Sequence, residues 1–262
     1  SEKTGEPYLF STTYDRGEEG YLCTDPMIML LTPSWYRQFK ETIDSRPNSV
    51  VKLIENTEDK KGIENFLGTA FYLNGALGAA FNTKEVSISA SVLVQKPDFS
   101  NLPEIQVPVM NPDIVRWMLL MGQMDKPTTD DEEVIYKLYY KFFSAAMPKA
   151  KLLIPLNATS GFPDKSQGAN SFVLKEDAKF SIPVREGKDG RNSVPVFTDW
   201  KRLRMVFDEK WNGMIEEAGG MIEGFDYAIN PTEYYEAGAY VSLTAFKEMQ
   251  KFSEELEGRD KD

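Results

Sequence analysis

Proton transfer, metal binding and covalent catalysis all need particular side chains, and this chain of 262 residues offers 41 aspartates and glutamates, one cysteine and no histidine. The missing imidazole removes the commonest general base, the commonest metal ligand and the usual switch near neutral pH. Serine-histidine and cysteine-histidine catalysis are thereby excluded. Cys23 has no partner for an internal disulfide and follows Leu22, the company of a small core residue rather than of an activated thiolate. Carboxylates stand together at Asp130-Asp131-Glu132-Glu133, Glu216-Glu217 and Glu254-Glu255, and such groups can perform acid-base work or hold magnesium. The first run opens a helix, where the dipole favours negative charge. The other two read as exposed helix faces. None is framed by the glycines or basic residues of a phosphate-metal site. The glycines from Gly68 to Gly78 lack dinucleotide or Walker spacing. No catalytic residue, metal ligand or cofactor is therefore assigned.

One local concentration of basic residues stands out from an acidic background: Arg191, Lys201, Arg202 and Arg204, around the junction Phe197-Thr198-Asp199-Trp200. A helix N-terminus there could receive an anion, but Asp199 already occupies that position as a cap. A solvated helix face paired with Asp199, Asp208 and Glu209 explains the same residues. The candidate interaction or ligand surface is Arg191, Phe197, Thr198, Asp199, Trp200, Lys201 and Arg204, with Asn230 closing the strand that follows.

The formal charge is -11. It is spread evenly, with 15 basic and 21 acidic groups in residues 1–150 and 15 and 20 in the remainder. Such a surface repels phosphate backbones and anionic headgroups, so neither nucleic acid nor membrane is the expected partner. The chain has no apolar run long enough to cross a bilayer, and Ser1-Glu2-Lys3-Thr4 lacks the layout of an export signal. A cytoplasmic protein is expected.

These residues need elements to position them. Thr32-Pro33 opens a helix to about Ser45 by cap-then-proline chemistry, and Asn111-Pro112 opens a second. Thr129 to Glu132 form a capping box into a third, running to about Met147. Further helices are expected at 60–77, 200–207, 214–218 and 238–256. Strands are expected at 21–24, 50–54, 86–94, 104–110, 151–156, 171–174, 179–184, 193–197 and 227–229. Asp189-Gly190 reads as a hairpin turn pairing Phe180–Ile182 with Val194–Val196, and Pro195 marks the latter as an edge strand. Consecutive strands among helices indicate α+β architecture, with two mixed domains, 1–125 and 126–262. The second carries an antiparallel or mixed sheet packed by helices. Val109-Met110-Asn111-Pro112 echoes Ala228-Ile229-Asn230-Pro231, as two related domains would.

An ordered set of motifs resembles the SseB-like family, named for enhanced serine sensitivity. A long helix leads into Leu152-Leu153-Ile154-Pro155, an Asp189-Gly190-Arg191 turn follows, then Val194-Pro195-Val196-Phe197-Thr198-Asp199 with its helix, and Asn230-Pro231 closes the set. The resemblance covers about residues 130–250. It implies a bacterial, cytoplasmic α+β domain, and it transfers no catalytic residues. The expected function is that of a non-enzymatic protein acting through contacts with an unknown protein partner, regulatory in metabolism or stress adaptation. The alternative is a hydrolase or transferase using Asp/Glu and a divalent metal in a cleft between the domains. A homodimer through the C-terminal helix also fits the pattern.

Overall fold

The computed structural model describes residues 6–45, 51–59, 61–103, 106–124, 126–160, 179–186, 190–218, 224–232 and 237–259. The chain divides into two compact units. The first comprises residues 1–96 and 112–141, the second residues 97–111 and 142–262. Relative to a boundary at 125/126, residues 97–111 join the later unit and 126–141 the earlier one. Each unit mixes helices and strands, so the chain is α+β.

In the first unit β1 (Thr13–Asp15) pairs antiparallel with β2 (Tyr21–Cys23) as a separate ribbon. A second sheet has the order β3 (Met27–Leu30), β4 (Gly78–Phe81), β5 (Ser87–Ser89). Its first pair is parallel and its second antiparallel. Helix α1 (Pro33–Asp44) follows β3, its Thr32 cap accepting the Trp35 N–H. It kinks at Phe39, and of its apolar residues Trp35, Tyr36, Phe39 and Ile43 only Ile43 is fully buried. Where one helix was expected over 60–77 there is α2 (Gly62–Gly68) and a π turn at Thr69–Leu73 before β4 begins. Where one strand was expected over 86–94, only β5 is extended and Ala90–Leu93 is the short helix α3. Val92 is exposed, so the alternation of serines with apolar residues does not mark a half-buried face. Residues 51–54 and 106–110 contain no strand; Val50, Glu104 and Ile105 lie outside the described residues.

Helix α4 (Pro112–Met124) buries Ile114, Val115, Trp117, Met118, Leu119, Leu120 and Met121. A helix apolar on all sides is a core helix, so its tryptophan and methionines serve packing. Its Gln123 side chain bonds both ways with the Leu9 backbone, accepting at 2.8 Å and donating at 2.6 Å. Helix α5 (Asp130–Ala146) starts with the expected capping box. Glu132 N–H donates to Thr129 Oγ1 at 3.2 Å and Glu132 Oε2 accepts from Thr129 N–H at 3.3 Å.

In the second unit β10 (Asn212–Glu217), β6 (Lys151–Ser160) and β7 (Lys179–Ser181) form an antiparallel sheet in that order. A second, mixed sheet has the order β12 (Ala239–Val241), β11 (Asp226–Ile229), β9 (Asn192–Val196), β8 (Arg185–Glu186). Its central pair, β11 with β9, is parallel. The two sheets are stitched by Leu153 and Phe197, whose backbones exchange hydrogen bonds of 2.8 Å. Leu153, Phe197, Leu203 and Val109 are the buried centre, with Trp200, Val206 and Phe207 packed around them. Helix α6 (Trp200–Val206) follows β9, and α7 (Leu243–Arg259) follows β12.

Four expectations change here. Residues 214–217 are not helical but belong to β10, because Met214 and Ile215 pair opposite Ile154 and Leu153; Glu216 and Glu217 are therefore strand residues. The last helix starts at Leu243, residues 239–241 being extended. Phe180 pairs with Ala158 of β6 rather than with β9. Strand β9 is interior, and Pro195 is tolerated because β8 pairs only with Asn192 and Ser193. Residues 171–174 and Asp189 lie outside the described residues.

Gly75 joins the π turn to β4 with φ +80°, and a Cβ there would lie 2.1 Å from the Pro112 carbonyl oxygen of α4. Gly75→Ala is expected to lower the stability by more than about 1 kcal/mol, read as a fall in the urea midpoint. An unchanged midpoint would contradict the close approach.

Candidate functional site

All but Arg191 of the residues marked by the sequence converge where β9 and β11 end side by side. Asn230 leaves β11 with φ +45°, a left-handed conformation that asparagine tolerates better than most side chains. Its N–H donates to Val196 O at 2.8 Å. Its Oδ1 accepts the Thr198 N–H at 3.0 Å, and its Nδ2 donates to Ala237 O at 2.7 Å and Thr198 Oγ1 at 3.1 Å. The Thr198 hydroxyl in turn donates to Asp199 Oδ2 at 2.8 Å. Asp199 caps α6, its Oδ1 accepting the Arg202 N–H at 2.9 Å, while Arg202 Nη1 reaches Oδ2 at 2.5 Å. Both members of that ion pair are 3% exposed or less, a position charges occupy only when paired and hydrogen-bonded. Asn111 completes the cluster: Nδ2 donates to Lys151 O at 2.6 Å and Thr198 O at 2.7 Å, and Oδ1 accepts from Lys151 N–H at 3.1 Å.

Phe197, Thr198, Asp199 and Asn230 are thus interior residues. Trp200, Lys201 and Arg204 lie on or beside the outer face of α6. The Arg204 guanidinium stacks over the Trp200 ring at 5.1 Å. It is held there by donating to Asp208 O at 2.7 Å and Trp211 O at 3.0 Å, with Glu209 at 3.6 Å. Lys201 and Met205 stand exposed on the same short helix. Arg191 does not join this group; its Nε lies 3.4 Å from buried Asp226. That carboxylate also accepts from Tyr240 Oη at 2.6 Å and from Leu243 N–H, the first turn of α7, at 2.8 Å.

Sequence reasoning missed Asn111, Asp226 and the inward course of Arg202. Arg202 stands three residues after its cap, the spacing that returns a side chain to the start of a helix. Asp226, an acidic residue opening an apolar strand, carries no local signal. Among the described residues no group of three or more His, Cys, Asp or Glu is placed to hold a metal ion. Cys23 has its pKa pushed up by burial, which keeps it a thiol. No helix of the described residues is long and apolar enough to cross a membrane. On the first unit, an open groove of about 590 Å³ runs along the start of α5 and includes Pro127, Tyr136 and Tyr140.

The second unit is thus an α+β module in which a mixed sheet, an antiparallel sheet and helix α6 are fastened by one buried polar cluster. Residues 139–218 match the family model of the SseB protein N-terminal domain, and over this stretch the chain is SseB-like. The match takes in β6, β9, α6 and β10 and ends before Asn230. No curated protein and no solved structure gives a significant match.

Asp199→Ala would remove the carboxylate that both pairs with buried Arg202 and caps α6, so a loss of about 3–5 kcal/mol is expected. Asp199→Asn, which keeps an acceptor for the cap, should lose less; equal urea midpoints for the two variants would show that the whole loss comes from the charge and none from the cap acceptor. Tyr227 supplies a pH dependence. Burial, with Glu216 and Asp226 nearby, pushes its phenol pKa far up. A folded value above the unfolded one means stability that is intact below about pH 10 and lost as pH rises beyond it. The unfolding midpoint should fall above that pH, and less steeply in Tyr227→Phe.

Proposed function

We propose that the protein acts through protein-protein contacts rather than by catalysing a reaction, and that the outer face of α6 is its contact surface. The observation that carries this reading is the Trp200–Arg204 stack at 5.1 Å, tied down by the carbonyls of Asp208 and Trp211. Tryptophan and arginine dominate the energetics of protein interfaces. A guanidinium already held in place loses little side-chain freedom on binding. Exposed Lys201 and Met205 extend the surface with a charge and an adaptable apolar group. The inner residues of the motif support this reading from the other side: Thr198, Asp199, Arg202 and Asn230 bond to one another and to backbone, so their role is to set the angle of α6. An acidic segment of a partner protein suits the face, because its cations stand on a chain of formal charge -11 and act within a screening length of about 8–10 Å. A regulatory role in metabolic or stress adaptation is what the SseB resemblance adds.

The test is quantitative affinity capture with the full chain and with a Lys201→Glu/Met205→Asp variant, both substitutions lying at exposed positions. The wild type is expected to recover one protein in defined stoichiometry, with recovery falling as salt rises, and the variant about tenfold less. Equal recovery by the two forms would remove α6 as the contact surface. Recovery of the chain itself, with a matching shift in mass, would make the partner a second copy.

A further inference from the structure

The echo between Asn111-Pro112 and Asn230-Pro231 is not structural. Both asparagines belong to the second unit, no strand precedes Asn111, and its side chain grips Lys151 and Thr198 instead. The counterpart of Asn230 lies elsewhere. Among the described residues only two that are not glycine have positive φ, Asn82 at 62° and Asn230 at 45°.

Each follows the second strand of a parallel pair. In the first unit β3 pairs with β4, ending Leu30 opposite Phe81; in the second β9 pairs with β11, ending Val196 opposite Ile229. Each asparagine is the next residue, and its N–H donates across the pair at 2.8 Å, Asn82 to Leu30 O and Asn230 to Val196 O. Two residues beyond Leu30 and Val196 stand Thr32, the cap of α1, and Thr198, the residue before the Asp199 cap of α6. The asparagine Oδ1 accepts the threonine N–H, at 2.9 Å from Thr32 and 3.0 Å from Thr198, with the threonine hydroxyl 3.2 Å away in both cases. A third strand then pairs antiparallel with the second, β5 with β4 and β12 with β11, and leads into a helix, α3 or α7.

A left-handed residue after a parallel strand does not by itself demand an asparagine whose amide oxygen meets the backbone N–H of a threonine leading into a helix across the pair. We infer that the two units are built on one repeated core, parallel strand pair, capped helix and antiparallel third strand, and that Asn82 is the lock of residues 6–96 as Asn230 is of the second unit. The family match covers only residues 139–218, so it does not assign this role to Asn82. The copies differ in two ways. Asn82 serves only as an acceptor toward Thr32, whereas Asn230 also donates to Ala237 O. Thr32 is itself the cap of α1 and is followed by Pro33, whereas Thr198 precedes Asp199, whose carboxylate caps α6.

Hydrogen exchange on the full chain, read by mass spectrometry over peptides of both units, tests this. Asn82→Gly keeps the backbone conformation and removes the acceptor. It is expected to speed exchange about tenfold in residues 27–36 and 78–82, leaving residues 192–203 as in the wild type. Asn230→Gly should do the reverse. The aspartate variants separate the two roles: Asn82→Asp retains protection because an acceptor suffices, and Asn230→Asp loses it because the donor to Ala237 is gone. Wild-type exchange in residues 27–36 of Asn82→Gly, or equal loss in Asn82→Asp and Asn82→Gly, would overturn the inference.

Discussion

The carboxylate of Asp199 is the point on which the second unit turns. Moving an aspartate and an arginine out of water costs several kcal/mol for each ion, and mutual attraction offsets that only with good geometry and further hydrogen bonds. Here Oδ1 takes the backbone N–H of Arg202, while Oδ2 takes its guanidinium and the hydroxyl of Thr198. All three donors lie within five consecutive residues. The carboxylate therefore fixes the direction in which the chain leaves β9 and enters α6, which an apolar cluster of similar volume would leave free to vary. Asn230 and Asn111 then carry the constraint outward through hydrogen bonds, to Ala237 before β12 and to Lys151 at the start of β6.

A buried lock of this kind decides what the outside of α6 can be. Seven residues make two turns; Arg202 and Leu203 are fully buried, and Trp200 and Val206 are half-buried against the core. Arginine was the residue most open to being read as a ligand group, yet of the two on this helix one is buried against its cap and the other is held over the ring of Trp200. What remains for contact is a small, stiff surface of one stacked pair, one lysine and one methionine. Its positive charge stands out locally even though the whole chain is acidic, because salt screens exposed charges beyond about 8–10 Å.

Much of this was legible in the sequence, and for identifiable reasons. Caps were readable because they are local: Thr32-Pro33, Thr129 to Glu132 and Asp199 each place their partners within four residues. Residues 151–156 and 193–197 read as strands because apolar runs of that length have few alternatives. The family resemblance rested on the order of such segments, and the match over residues 139–218 falls on the same ones. Pairing was not readable. Residues 214–218 look helical until Leu153 and Ile154 stand opposite them, and Phe180 pairs with β6 because of contacts remote in sequence. The candidate site was legible as a list of residues and not as layers: nothing local distinguishes Asp199, which is buried, from Lys201, which is exposed. Asn111 was invisible because its partners lie 40 and 87 residues away.

The same asparagine-threonine contact is made in two environments, and the difference has a physical consequence. Around Asn230 and Thr198 water is excluded, with both residues 1% exposed or less. A hydrogen bond there gains from the low local dielectric, and an unmet donor or acceptor is correspondingly costly. That explains why the buried copy is surrounded by further partners until each polar atom of the pair is engaged: Asp199 for the hydroxyl, Ala237 for the amide, Asn111 for the carbonyl of Thr198. The Asn82 and Thr32 pair is exposed, and water can replace whatever its neighbours do not supply. Proline at position 33 in place of a carboxylate costs the first unit little, because its missing N–H is one that a helix start leaves unbonded anyway. Burial, more than the identity of the two locking residues, dictates how elaborate each lock has to be.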